Sequence, residues 1–580
     1  MFIQIKRIFQ TIGKENRFKS LILLLILLMV IILELLNFSL IIPILSIVFE
    51  NTGQDYKFLS YIRDNLGLEF DNILIIGAVF ILILLIKIFA LLFFEYMVQK
   101  FSRELNIDIS LKAYSFFLYA PWQEVFKRDH GYIMRNIFSD AGAFVSEGVI
   151  KIIELFKNTL LLTFILGYLF FVNFKATLVI LILLTLFVVM FLLFFKKKFL
   201  KLSELSQSLL RYRYKNILES VINLRDIKLT TSAEYFLELF KINENKISKV
   251  VIANAVINKL PRYSLELLIV IFIFIFLVFF NFKNLNMIEM IPILGLYGFA
   301  AVRLIPIFAV YNQSLQAMRI HKYQIDEVIK NAGRFSVIFK ERSQSLESTK
   351  KINIEEQKLQ INIDNLNFEY DSNNKIFENV HLKIDKDQTI FVEGPNGSGK
   401  STLVDLLSGM LKPSEGRIEI NGEDLNSLKD IWKSKIGYVS QSNFLIDESI
   451  KNNIIFGRKN ILEEDVKNVC KIVGLNKFIN SLPNGIETNV GNLGSYFSGG
   501  QKQKISIARA LVKNPKFIIL DEATNALDIE SEKEFLEIIN KIKKNKIIIF
   551  IAHSKIIKDF CDINLMIKNK KIIRVNNEKS

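Results

Sequence analysis

Cysteine is nearly absent from this chain. The two present in 580 residues, Cys470 and Cys561, lie in the same half with no spacing suited to a metal site, so neither a disulfide scaffold nor a cysteine-ligated metal is expected. Acidic residues are also short: 58 Asp and Glu stand against 74 Lys and Arg, a formal net charge of +16. A nucleic-acid partner could use that charge. The basic residues, however, gather beside apolar runs and no base-stacking motif accompanies them, which assigns the charge to membrane topology. The balance of a soluble protein is missing as well, since 51% of residues are hydrophobic and the excess lies before about residue 315. The first apolar run, Leu21 to Phe49, has neither the short core nor the small-residue cleavage site of a signal peptide, and it is expected to remain in the membrane.

The chain is too long for one core, so at least two domains are expected. Residues Phe2 to Ile12 place apolar side chains at helical spacing around Lys6 and Arg7, the pattern of a helix lying on a membrane surface. Leu21 to Phe49 is followed by runs at Ile73 to Val98, Val149 to Val172, Ala176 to Phe195, Leu265 to Phe280 and Met287 to Tyr311. Each is close to the roughly 20 residues that cross a bilayer core, and the count predicts six spans. The loop Glu50 to Asn72 is acidic, whereas Lys196, Lys197, Lys198, Lys201, Arg211 and Arg213 follow the fourth span. That bias places the N-terminus, the two long loops and the C-terminal half on the cytoplasmic side. The long loops, Gln99 to Gly148 and Lys196 to Pro261, read as helical extensions of the spans with short helices at their tips, near Ser139 to Ser146 and Asn223 to Thr231. A separate cytoplasmic hairpin is the alternative.

Charges inside the apolar runs are costly, at least ~2.5 kcal/mol each on the insertion scale. Glu34, Lys87 and Arg303 are three such groups. Either Glu34 pairs with Lys87 to neutralise both, or Lys87 and Arg303, with Arg262 at the start of the fifth span, form a cationic belt for an anionic head group such as pyrophosphate.

Residues 340–358 turn polar and mark a linker between a membrane domain, 1–339, and a second domain, 359–580, with alternating strand and helix patterns. There, Gly394-Pro395-Asn396-Gly397-Ser398-Gly399-Lys400-Ser401 satisfies the phosphate-loop pattern between a predicted strand, Thr389 to Val392, and a predicted helix, Ser401 to Met410, with Thr402 in its first turn. The glycines let successive amides face phosphate oxygens, Lys400 reaches the β and γ phosphates, and the Ser401 hydroxyl can ligate Mg²⁺. Phe517 to Leu520 reads as a buried strand ending in Asp521 and Glu522.

This half resembles an ABC-transporter ATPase domain, with its motifs in the family's order. The resemblance implies ATP and Mg²⁺ as ligands, Tyr370 as an aromatic stacked on adenine, and Gln441 as a Mg²⁺ contact that senses the membrane domain. It implies Asp521 as a Mg²⁺ group acting through water, Glu522 as general base and His553 as a γ-phosphate contact. It also implies that Ser498-Gly499-Gly500-Gln501 caps the γ-phosphate held by an opposing subunit, and that Asp528, in Ala526-Leu527-Asp528, signals across the dimer. One departure is Thr488-Asn489-Val490-Gly491-Asn492, where exporters usually carry acidic residues.

With six spans ahead of it, the whole chain is similar to exporter-type half-transporters: a membrane α-helical domain followed by an α/β P-loop ATPase domain, working as a homodimer in the bilayer. Within them it most resembles bacterial lipid-linked oligosaccharide flippases, through a short helix expected at Tyr56 to Leu66, the run Ala300 to Pro306, and Arg262 after Pro261. That likeness implies an inner-membrane flippase for an amphipathic, anionic, lipid-linked substrate. Export of lipids such as the lipid A core, or of hydrophobic drugs, is the alternative, and an ATP-gated channel or regulator a further one that an intact Glu522 disfavours. A peptide exporter is not expected, because no protease domain precedes the first span.

Overall fold

Apolar runs interrupted by only nine prolines in the whole chain fold into helices that outlast the bilayer. In the computed structural model, which describes residues 2–39, 73–126, 128–282, 287–348, 359–370, 374–524 and 529–575, the first helices are α1 (Phe2–Thr11), α2 (Lys14–Ser39) and α3 (Ile73–Tyr119). The 47 residues of α3 span ~70 Å at the α-helical rise, well beyond a hydrocarbon core of roughly 30 Å. Next come α4 (Trp122–Phe126) and α5 (His130–Arg135), the latter running through π-helical turns at Asn136–Asp140 and Phe144–Ile150 into α6 (Lys151–Val172). Then follow α7 (Phe174–Ile222), α8 (Leu224–Leu229), α9 (Ala233–Phe282), α10 (Met287–Ile320) and α11 (Lys322–Ser348).

Among the described residues, four stretches are long and apolar enough to cross a membrane: Glu15–Asn37, Gly77–Tyr119, Gly131–Val172 and Gly295–Ile320. The fourth and fifth expected spans fall within α7 and α9, continuous helices of 49 and 50 residues. Leu85 and Phe89 on α3 are 58% and 74% exposed, as lipid-facing side chains must be, whereas Phe94, Phe101 and Leu105 farther along it are buried with Leu27 and Ile31 of α2. A second apolar cluster joins Ile165 and Leu169 to Leu296, Ala300, Leu304 and Ile307. The expected surface helix is present as α1, but it is not given over to lipid: Ile8 and Ile12 are buried in the protein core, with Lys6 and Arg7 exposed. The segment Tyr56 to Leu66 lies outside the described residues.

The cytoplasmic tips differ from expectation in one loop. The second tip is α8, inside the expected Asn223 to Thr231. The first is not at Ser139 to Ser146, which belongs to the continuous rod leading into α6, with Phe144, Val145 and Val149 buried in the core. The separate helix is α4, directly after Pro121. Proline removes an amide donor and disfavours helical geometry in the residue before it, so α3 stops at Tyr119 and the chain turns there.

The chain forms two units, one of Met1–Ala120 with Arg128–Phe339 and one of Pro121–Lys127 with Lys340–Ser580. In the second, β1 (Gln360–Glu369), β2 (Lys375–Asp385), β4 (Glu415–Ile420) and β5 (Glu423–Asp424) make an antiparallel sheet in the order β2-β1-β4-β5. The larger sheet contains β3 (Thr389–Glu393), β6 (Ile436–Val439), β7 (Phe517–Asp521), β8 (Ile547–Ile551), β9 (Ile563–Lys568) and β10 (Lys571–Val575), in the order β10-β9-β3-β8-β7-β6. All its pairings are parallel except β10 with β9. Its central strands are buried along almost their whole length, as the unbroken runs Phe517 to Leu520 and Ile547 to Ile551 require.

Trp432 anchors one face of this sheet. It is fully buried, its ring stacks on Phe517 with centroids 5.4 Å apart, and its indole N–H donates to the Leu407 carbonyl at 2.9 Å. Trp432→Ala is expected to destabilise the C-terminal unit by about 3–5 kcal/mol, seen by calorimetry as a lower transition temperature for that unit.

Candidate functional site

The carboxyl ends of parallel strands are where an α/β sheet binds ligands, and here two of those ends carry the chemistry. The loop from Gly394 to Gly399 leaves β3 and enters the helix α12 (Lys400–Leu407), so the unpaired first-turn amides and the positive end of the helix dipole face any anion held there. Gly399 has φ +106°, a backbone state L side chains rarely adopt, and a Cβ on it would lie 2.6 Å from Ile376 Cγ2. At Gly394 a Cβ would lie 2.6 Å from Ser398 Oγ and 2.9 Å from the Ile567 carbonyl oxygen. Both positions therefore require glycine. Lys400 turns its ammonium back onto the loop, donating to the carbonyls of Gly394 at 2.8 Å and Pro395 at 3.2 Å. Ser398 Oγ is buried without a hydrogen-bond partner among the described residues, a polar atom that a phosphate oxygen would satisfy. Asn396 and Gly397 are exposed at the loop's tip, and Ser401 follows Lys400 in the first turn, also exposed.

Strand β7 ends two places away across the sheet, with β8 between. Its Asp521 accepts a hydrogen bond from Tyr438 Oη at 3.3 Å, and Gln441 Nε2 donates to Glu522 Oε2 at 2.6 Å. Glu522 has φ +51°, with its amide held by the Ile551 carbonyl at 2.8 Å. Burial, followed by the like charge of Asp521, pushes the Asp405 carboxyl up to about 6. Burial also raises Asp521, where the charge of Glu522 adds to the shift while Tyr438 and Lys400 oppose it. An acidic group of this kind is short of positive charge, and a divalent cation would supply it. Among the described residues no cluster of three or more carboxylate, histidine or cysteine side chains could hold a metal unaided. Mg²⁺ does not demand one, because it uses one or two protein groups together with phosphates and water. Ser401, Gln441 and Asp521 fit that description.

The remaining candidates sit around these two strand ends. Tyr370 follows β1 and places its hydroxyl 3.2 Å from Thr402 Oγ1, linking the expected base platform to α12. His553 is exposed just after β8. Ser498 caps the helix α13 (Gly499–Leu511): the Gln501 amide donates to Ser498 Oγ at 3.3 Å, and Gln501 Oε1 accepts from the Ser498 amide at 2.9 Å. This reciprocal cap leaves Gly499 exposed and Gly500 half-buried at a helix N-terminus of 13 residues. Asp528 lies outside the described residues. Between residues 488 and 492 the chain pairs with residues 448–450: the Ile450 amide donates to the Thr488 carbonyl at 3.0 Å and the Val490 amide to that of Glu448 at 3.1 Å.

Asp405 and Tyr438 belong to this site and escape a motif-by-motif reading, because only parallel pairing of β6 with β7 brings Tyr438 beside Asp521. A second missed group is Arg509 on α13. It donates to the Asn453 carbonyl at 2.8 Å and to the Phe444 carbonyl at 2.9 Å, and lies over the Phe456 ring at 4.3 Å. Burial lowers it to about 10. Arg509 ties the signature helix to the segment after Gln441, a role legible only as a charge inside an otherwise apolar helix face.

In the membrane unit Glu34, Lys87 and Arg303 gather into one cluster. Glu34 Oε2 lies 2.6 Å from Lys87 Nζ, and Glu34 Oε1 lies 3.3 Å from Arg303 Nε. Lys87 is 4% exposed, whereas the Arg303 side chain keeps 39% and stands 5.4 Å from the Phe299 ring. Arg262 does not join: it is 61% exposed and pairs with Glu266 one turn along its own helix at 2.9 Å. Glu34→Ala is expected to destabilise the membrane unit by about 3 kcal/mol or more, since it strands Lys87 in an apolar setting. Glu34→Leu with Lys87→Met should recover much of that loss, and the thermal midpoint of the purified protein in detergent reads both.

Residues 377–525 match the ABC transporter family. An export ATP-binding/permease protein of Rickettsia typhi is 41% identical over 217 residues, 37% of this chain and 38% of that protein. A multidrug export ATP-binding/permease protein of Staphylococcus aureus is 36% identical over 228 residues, 39% of each chain. ABC transporter B family member 21 of Arabidopsis thaliana is 40% identical over 196 residues, 33% of this chain and 15% of its own length. The matched regions thus span well under half of these relatives. Among solved structures, a bacterial Atm1-family ABC exporter with ATP bound has the same fold, with a TM-score of 0.74 at 19% identity over 96% of this chain and 94% of that one. The C-terminal unit therefore contains a segment, 377–525, that matches the ABC transporter family, and the chain as a whole shares the fold of an ABC exporter, a helical membrane domain followed by an α/β ATPase-type domain.

Proposed function

We propose that the chain is one subunit of an ATP-driven exporter or flippase that works as a homodimer in a cell membrane, with its ATPase domain in the cytoplasm. The observation that carries this reading is the bond from Gln441 to Glu522, beside Asp521 and across the sheet from Lys400. It orients the carboxylate that this reading assigns as base for a water attacking the terminal phosphate. Gly394 to Ser401 and Thr402 bind the phosphates, Tyr370 the base, and His553 contacts the γ-phosphate. Ser401, Gln441 and, through water, Asp521 would hold Mg²⁺, which would supply positive charge to offset that developing on the phosphates. Ser498 to Gln501, at a helix N-terminus, offer a second anion cradle, which on this reading caps the ATP of an opposing chain so that each ATP is enclosed by two chains, and Asp528 belongs to the same junction. Closure of the two ATPase domains drives the spans from inward to outward opening, and hydrolysis resets them.

The cargo is an amphipathic anion of the lipid-linked oligosaccharide type. Its support is the excess of cations over Glu34 at the Lys87 and Arg303 cluster, with Arg303 still partly exposed. A second reading, export of hydrophobic drugs or of lipids such as the lipid A core, is favoured by the pairing of Glu34 with both cations, which lowers the charge available to a head group. The relative named for multidrug export supports it too.

Lys400→Ala is expected to abolish ATP binding and transport. Glu522→Gln should keep ATP bound while turnover falls by about 10²–10⁴, measured as phosphate release and nucleotide retention in proteoliposomes. The cargo is tested by ATPase stimulation with polyprenyl-pyrophosphate lipids, phospholipids and apolar drugs. The anionic reading expects the pyrophosphate lipids to stimulate and Arg303→Gln to remove that stimulation; stimulation by drugs alone would support the second.

A further inference from the structure

A ring remote in sequence from every nucleotide motif stands against the expected base platform. Tyr370 is fixed on two sides: Phe368 meets it edge-on with centroids 5.0 Å apart at 85°, and its hydroxyl lies 3.2 Å from Thr402 Oγ1. Phe126 of α4 stacks on it, with centroids 6.3 Å apart and planes inclined by 25°. A ring held between two others needs them about 7 Å apart, twice a contact distance of roughly 3.5 Å. The centroid separation is short of that by under about 1 Å, and Phe126 is 58% exposed, so its ring can shift to admit a base without opening a core.

We propose that Phe126 is the second aromatic wall of the base site, so that adenine binds between Tyr370 and Phe126. The inference rests on the reading of Tyr370 as base platform and extends it to a residue of the first cytoplasmic loop. Base occupancy then fixes α4, the helix that Pro121 separates from α3, by direct contact with the nucleotide. Trp122 lies one turn before Phe126 with ring centroids 5.7 Å apart, so it shares the environment the base would enter.

The test uses the full-length protein in detergent, with ATP and inorganic tripolyphosphate, which has the phosphates without a base, as ligands. Phe126→Ala should weaken ATP binding at least about five-fold, the low end for loss of one stacked aromatic, and leave tripolyphosphate binding within about two-fold. Phe126→Trp should retain ATP affinity. The protein has two tryptophans, and the other, Trp432, is fully buried, so ATP but not tripolyphosphate should shift the Trp122 emission. Unchanged or tighter ATP binding in Phe126→Ala overturns the proposal, as does equal loss of both ligands, which would assign Phe126 to folding. Tyr370→Ala separates the two layers: if it too leaves ATP affinity unchanged, the base platform itself is wrong, whereas weakening there without weakening in Phe126→Ala removes only the second wall.

Discussion

At the working edge of this protein the Lys400 ammonium acts on Asp521, a carboxylate that Glu522 and Asp405 crowd with like charge. Lys400, folded onto the carbonyls of its own loop, shares that edge with Asp405, Asp521 and Glu522, and burial pushes the first of these carboxyls up to about 6. The arrangement is unfavourable without a polyanion and its counter-cation. It exists because β3 and β7 flank β8, a parallel order in which every strand delivers its carboxyl end to the same side. The hydrophobic strands are thereby committed to holding a polar edge in register, and Tyr438, Gln441 and the Ile551 carbonyl fix the acids one by one.

The membrane unit solves the corresponding problem with the signs reversed. Glu34 stands between Lys87 and Arg303, and the burial of Lys87 is tolerable only because that carboxylate is 2.6 Å away. Arg303 is the more open of the two cations, its side chain 39% exposed against 5% for Lys87.

Legibility from sequence divided along physical lines. The phosphate loop and the acidic strand end could be read directly, because backbone geometry there demands glycine and the strand around Phe517 is apolar on both faces. The helical membrane domain was legible because apolar length alone requires it. The first cytoplasmic tip was misplaced, since periodicity says nothing of where a long helix stops, whereas Pro121 does. Tyr438 and Asp405 were missed because they reach Asp521 through strand pairing rather than through a motif. The charges at Glu34, Lys87 and Arg303 were recognised as needing partners, but which pairs form depends on helix rotation, and only three-dimensional packing decides it. Gln441 and Glu522, 81 positions apart, meet as side chains because β6 and β7 are neighbours.

The central claim is that one chain carries two unlike halves of an ATP site. Co-assembly of Lys400→Ala chains, whose signature is intact, with Ser498→Arg chains, whose phosphate loop is intact, tests it most directly through the ATPase rate of the mixed population. Each variant alone should be inactive, and the mixed dimer should regain activity through its one complete composite site. No recovery on mixing, with dimers shown to form, would contradict the account.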